Sequence, residues 1–179
     1  MLLERAKRFE EDALAEIFNR HNAGIFRYAL RQLGETELAR ECMAETFSRF
    51  LNVLRRGTGP QDYLQAYLYR IAHNWITDFY RAGWRQMDTL DEEMKDQDTG
   101  HPTLILDERF RQECLRKALA KLTTEQRQVI VLKFLEDWDN EMIAKAVQKP
   151  VGAVKALQHR GLNTLRRILV EEEASYESQ

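Results

Sequence analysis

The feature that most limits this chain is how few helix breakers it has and how they cluster. Its 179 residues contain eight glycines and three prolines, about half of average usage. They gather at Gly57–Pro60, Gly100–Pro102 and Pro150–Gly152. Between these points apolar residues recur three and four apart, and period-two alternation is nowhere sustained. That spacing calls for amphipathic helices rather than strands. Leu14, Ile17, Phe18, Ile25, Phe26, Ala29, Leu30 and Leu33 predict a helix or a bent pair ending at Gly34. Leu38, Cys42, Phe47, Phe50, Leu51 and Leu54 predict a second, with Thr36 as its N-cap. A third runs from about Asp62 through Tyr67, Leu68, Ile71, Ala72, Trp75, Ile76 and Phe79.

The second half repeats the pattern in shorter units. Phe110, Cys114, Leu115, Ala118, Leu119 and Leu122 share one face, and Thr123–Gln126 opens a helix that carries Val129–Leu135. Asp139 is placed to cap a short helix with Met142, Ile143, Ala146 and Val147, and a longer one runs from Val151 to about Leu169. The expected fold is all-α: two small helical domains, 1–85 and 107–170, joined by a flexible acidic linker at 86–106 and followed by a short acidic tail at 171–179.

The formal net charge of −2 conceals how unevenly the charges lie. Residues 1–85 carry +2, 86–106 carry −5, 107–170 carry +5, and 171–179 carry −4. Between 145 and 167 there are six basic side chains and no acidic one. A near-neutral chain of this kind is able to present one strongly basic surface, which is what holding phosphates requires. The same charges would also suit a solvated helix face.

Three local patterns suggest chemistry. A short helix, a turn and a longer helix across Asp139–Arg167 have the layout of a helix-turn-helix. On the longer helix Val154, Leu157, Leu162 and Leu165 are expected in the core, with Lys155, Ala156, His159, Arg160 and Asn163 projecting outward. Such a helix fits the major groove of duplex DNA; a four-helix bundle with a basic outer face is the alternative. Residues 63–85 mix aromatic and basic side chains, among them Tyr67, Tyr69, Trp75, Phe79, Tyr80, Trp84, Arg70, Arg81 and Arg85. Stacking on unpaired bases and burial in a core would both use these rings. Glu37, Glu41 and Glu45 lie four apart on one polar face that is either solvated or docked to a basic partner helix.

Several function classes are excluded or disfavoured. The four histidines show no H-E-x-x-H and no Glu-x-x-His spacing, and there is no Walker loop and no G-x-S-x-G. The two cysteines, 72 positions apart, suggest small core residues rather than a disulfide or a zinc ribbon. No apolar run approaches the length of a membrane span and the start lacks a secretory core. The expectation is a cytoplasmic protein that is not an enzyme, with no metal and no cofactor.

Taken together, these segments resemble a known family. Ala39–Phe47 (ARECMAETF) and Ala66–Asn74 (AYLYRIAHN), with Asp78 and Arg81, look like region 2 of extracytoplasmic-function (group IV) RNA polymerase sigma factors. Leu122–Val129 (LTTEQRQV), Glu141–Ala144 (EMIA) and Val151–Lys155 (VGAVK), followed by His159 and Arg160, look like their region 4. The resemblance implies a bacterial protein that binds core RNA polymerase through its two large subunits and directs it to promoters. It also implies an anti-sigma factor as a further partner. By motif, Glu41 and Glu45 fall on the polymerase-docking helix. The loop Arg56–Gln61, with Arg56 and Gln61 at its ends, falls where a flipped base of the −10 element would lodge. Asn74, Thr77, Asp78 and Arg81 fall on the helix facing that element, Asp78 alternatively orienting a neighbouring arginine. Lys155, Ala156, His159 and Arg160 fall where the −35 element is read as duplex.

The acidic linker would thread toward the polymerase channels as an RNA mimic, or serve simply as a solubilising tether. Three departures from the family pattern stand out. Ala44 occupies a position where glutamine is frequent, Ala156 one where serine is frequent, and Gln148 one where the turn commonly has glycine. A left-handed residue at Gln148 would be modestly strained.

Overall fold

The computed structural model describes residues 2–87 and 114–176, and among these every regular element is helical. In the first half α1 (Leu2–Lys7) leads into α2 (Glu11–Leu33), α3 (Thr36–Arg55) and α4 (Leu64–Met87). The stripe around Ile17, Ile25 and Ala29 forms one helix rather than a bent pair. Gly34 ends it in a left-handed conformation (φ 76°), its N–H donating to the Leu30 carbonyl. This is the usual work of glycine just past a helix end. Thr36 is already inside α3; Glu35 holds the N-cap position and makes no side-chain cap bond. The first-half core interleaves Ile17, Ile25 and Tyr28 of α2 with Ala39, Cys42 and Phe50 of α3 and Leu68, Ala72 and Ile76 of α4, all buried.

In the second half, α5 is described over 114–120. Next come α6 (Thr124–Ile130), a π-helical turn at Val131–Leu135, α7 (Asn140–Val147) and α8 (Val151–Tyr176). Thr123 caps α6 through a reciprocal capping box with Gln126, and Asp139 caps α7 by accepting from the Met142 N–H at 2.7 Å. Both caps satisfy backbone donors that a first helical turn leaves free.

The core here contains Leu119, Leu122, Val129, Ile130, Leu132, Ile143, Val147, Val154 and Leu157. At the crossing of α6 and α8, a Cβ on Gly161 would lie 2.9 Å from Cγ1 of Ile130, so glycine sets how closely these helices approach.

Several expectations are corrected. Leu162 is exposed, because Gly161 and Ile168 take the inward positions near it. Cys42 is buried as expected, whereas Cys114 is exposed. The α6 helix does not continue regularly to Leu135 but widens after Ile130. The first domain's last helix passes residue 85 to Met87, and α8 runs to Tyr176, so most of the acidic tail is helical. The acidic linker otherwise lies outside the described residues, as do Phe110 and the side chains of Trp84 and Arg85.

The two halves pack on each other, chiefly α4 against α7 with α2 against α6 and the π-helical turn. Trp138, in the loop before α7, is buried with its ring centroid 4.6 Å from that of Tyr69 on α4. The Lys145 ammonium of α7 lies over the Tyr63 ring. Arg127 of α6 reaches across to donate to the Gln32 carbonyl at 2.6 Å and to the Tyr80 hydroxyl at 2.8 Å. The Glu136 carboxylate is paired with Arg31 at 2.5 Å and Arg27 at 3.6 Å.

Candidate nucleic-acid interface

The surface of α8 is built by its start. Asp139 fixes where α7 begins, and Gln148 ends it in a left-handed conformation (φ 54°) with its N–H on the Ala144 carbonyl. Pro150 then precedes the first residue of α8 and its carbonyl accepts from Val154 at 3.1 Å. Val154 and Leu157 are buried, which turns Lys155, Ala156, His159 and Arg160 to the surface; all four are exposed. Arg166 and Arg167 extend the basic face, and Asn163 lies 3.3 Å from the His159 ring nitrogen. This is a helix with one apolar side in the protein and one cationic side in solvent, the arrangement that major-groove contact requires.

A second surface surrounds α4. Arg56 ends α3, and together with Arg49, Asn52, Val53, Ile71 and Asn74 it lines an open cavity of about 340 Å³. Its guanidinium groups and amides suit a phosphate or the polar edge of a base. Asn74 also borders a cleft of about 490 Å³, shared on the α4 side with His73, Thr77, Asp78 and Arg81. Thr124, Gln128 and Lys149 form part of the opposite wall. Thr77 donates to the His73 carbonyl at 2.8 Å and accepts from Gln128 at 3.3 Å. Asp78 and Arg81 stand 3.9 Å apart as a loose, exposed pair. Nearby, Trp75 and Phe79 stack with only 9° between their planes, and Phe79 is exposed. Burial lowers the pKa of His73 to about 4, with Lys149 adding to the effect and Glu125 opposing it.

The structure therefore brings Arg56 into one cavity with Asn74, and Thr77, Asp78 and Arg81 into one cleft with Asn74. Gln61 is exposed and lines neither. Glu41 is exposed on the outer face of α3, and half-buried Glu45 on the same helix pairs with Arg49 at 2.7 Å. Of the aromatic rings in 63–85, Tyr63, Tyr69 and Tyr80 meet the second half of the chain. Sequence reasoning missed Trp138 and Arg127 as partners of Tyr69 and Tyr80, and Glu136 as the partner of Arg27 and Arg31. The available signal was an arginine two residues before the apolar run at Val129–Leu132 and a tryptophan in a loop. Among the described residues no group of histidines, cysteines and carboxylates is placed to hold a metal, and no helix is long and apolar enough to cross a membrane.

Comparison with known proteins matches both halves of the chain. Residues 17–86 match the family model of Sigma-70 region 2, and residues 112–165 match that of Sigma-70, region 4. Together these spans include well over half of the chain. The ECF RNA polymerase sigma factor BldN of Streptomyces coelicolor is 27% identical over 173 residues, which cover 96% of this chain and 66% of BldN. The ECF RNA polymerase sigma factor SigW of Bacillus subtilis is 27% identical over 180 residues, covering 93% of this chain and 94% of SigW. The structure of CnrH in complex with the cytosolic domain of CnrY shares the fold, with a TM-score of 0.73, 22% identity, and coverage of 95% of this chain and 96% of CnrH. With region 2 and region 4 in order on the two halves that carry the α4 and α8 surfaces, the chain belongs to the extracytoplasmic-function RNA polymerase sigma factor family.

Proposed function

We propose that this chain is an alternative sigma factor that binds bacterial core RNA polymerase in the cytoplasm and directs it to a two-part promoter. The observation that carries this reading is the presence of both family signatures in order, each on a surface with matching chemistry. Along α8, Lys155, Ala156, His159 and Arg160 read the −35 element as duplex, with cationic side chains on phosphates and guanine edges. On α4, Asn74, Thr77, Asp78 and Arg81 face the unpaired −10 element. Arg56 and Gln61 flank the loop beside the cavity that takes an extruded base. The stacked, partly exposed Trp75 and Phe79 support this division, since aromatic faces return roughly 1–3 kcal/mol per stacked base. Glu41 and Glu45 contact the polymerase from the exposed face of α3.

The chain performs no covalent chemistry in this reading; the polymerase does. An anti-sigma factor completes the set of partners. The related fold of CnrH was solved bound to a cytosolic partner domain, which supports that expectation. The test is multi-round transcription by purified bacterial core polymerase on random-sequence duplex templates, with and without the chain. Discrete starts that depend on the chain are the expected result and deliver both promoter elements together. If no starts appear and the folded chain does not bind core polymerase, the proposal fails.

A further inference from the structure

The exposed side of α8 is chemically one-sided. Between Val151 and Arg160 the residues turned to solvent are Gly152, Lys155, Ala156, His159 and Arg160, spaced three, one, three and one apart along one side of the helix. Lys155 and Arg160 carry donors only. The His159 ring meets the amide nitrogen of Asn163 through Nδ1, 3.3 Å away. An amide nitrogen only donates, so Nδ1 accepts and the proton of the neutral ring sits on Nε2, which makes that nitrogen a donor as well. Gln158 is half-buried, and its amide is held by α7, donating to Asn140 Oδ1 at 2.6 Å. No acidic residue occurs between 145 and 167. Over these ten residues the exposed side chains offer donors and one methyl, that of Ala156, and no acceptor.

Duplex DNA carries a complementary inventory in its major groove. Guanine presents two adjacent acceptors, N7 and O6, and thymine presents O4 beside a C5-methyl. Adenine and cytosine each present an amino group, which needs an acceptor. A face of donors and one methyl therefore complements guanine and thymine and leaves the amino groups without a partner. Every base pair holds one of these two bases, so such a face reads their order and the strand that carries them. Lys155 and Arg160 are five residues apart, about 7.5 Å along the axis, or roughly two base steps of about 3.4 Å. Ala156 lies between them in the chain.

We propose that α8 reads its duplex element as guanine and thymine. Lys155 and Arg160 take guanine acceptors, and the Ala156 methyl packs on the C5-methyl of a thymine within about two base steps of them. The inference rests on the −35 role proposed above for this helix and goes beyond it in naming the bases and in giving Ala156 a contact of its own.

The test uses the complex of the full chain with core polymerase, on promoters recovered from random templates. Within the −35 element each thymine is replaced singly by deoxyuridine, which lacks only the methyl. Each guanine is replaced singly by 7-deazaguanine, in which C–H replaces N7. Deoxyuridine at one thymine should lower promoter use about fourfold, the factor expected for one methyl removed from water. The deaza form of a guanine within about two base steps of it should lower use about fivefold or more. Ala156→Gly should use the thymine and deoxyuridine templates equally. That ratio is read within one protein, so a lower overall activity of the variant does not alter it. Elements without a recurrent thymine, or a deoxyuridine effect that survives Ala156→Gly, overturn the methyl contact. Chain-dependent starts that ignore both analogues overturn the base reading and leave the sigma-factor function standing. The absence of any chain-dependent start overturns both.

Discussion

The backbone N–H of Gln148 donates to the carbonyl of Ala144 from a left-handed conformation, φ 54°, in the turn between α7 and α8. A side chain in this region costs about 1 kcal/mol that glycine does not incur. Gln148 is exposed, so its side chain offers little packing in return. Gln148→Gly should therefore stabilise the protein by about 1 kcal/mol, read as a higher urea midpoint at unchanged slope. A lower midpoint would mean that Gln148 makes a contact outweighing its backbone strain.

Gly161 presents the opposite case. In the middle of α8 an alanine gains up to about 1 kcal/mol of helix propensity, yet its Cβ would meet Cγ1 of Ile130 at 2.9 Å. Ile130 is buried and has little room to yield. Overpacking of this kind costs about 1–3 kcal/mol, so Gly161→Ala should destabilise the chain on balance. Thermal unfolding checks the sign; a raised melting temperature would show that α6 and α8 separate without cost.

The proposed roles of α3 and α8 are separable because their residues lie on different exposed faces. Lys155→Ala and Arg160→Ala should each weaken promoter use by about 5- to 150-fold, the equivalent of about 1–3 kcal/mol for a lost groove contact, with core polymerase affinity retained. Glu41→Arg and Glu45→Arg should weaken core binding instead. Losing the half-exposed Glu45–Arg49 pair costs little stability, so a binding loss would not be an unfolding effect. Promoter use and core affinity, measured separately, distinguish the two pairs. Equal losses in both assays from both pairs would refute the division.

The helices were legible because their signals are local. Apolar spacing fixes the buried side, and Thr123 and Asp139 announce the starts of α6 and α7 within three residues of the backbone donors they satisfy. The exposed set on α8 followed from the same periodicity, whereas Leu162, five residues past Leu157, falls off that spacing and is exposed, Gly161 taking the inward position. The left-handed Gln148 was expected from the family resemblance, which commonly has glycine at that turn position. The closure of the halves was not. It rests on Arg127 with Gln32, Glu136 with Arg31 and Trp138 with Tyr69, pairs far apart in the sequence. Charged and polar residues carry no periodicity that names a distant partner, so Tyr69 and Tyr80 looked equally suited to a core or to stacking on bases.

His73 turns that closure into a measurable pH dependence. Its imidazole is buried between α4 and the second half, beside Lys149 and Glu125, and burial lowers its pKa from 6.5 to about 4. The folded chain thus holds His73 neutral over a range in which the unfolded chain protonates it. Its contribution is fully present above about pH 6.5 and is lost as pH falls toward 4. At pH 5 the expected loss is about 2 kcal/mol relative to pH 7. His73→Leu removes the titrating group and should lose correspondingly less stability over the same interval, measured by urea unfolding at the two pH values. If wild type and His73→Leu lose equal stability between pH 7 and pH 5, the imidazole is hydrated and the α4 face around it is not closed in solution.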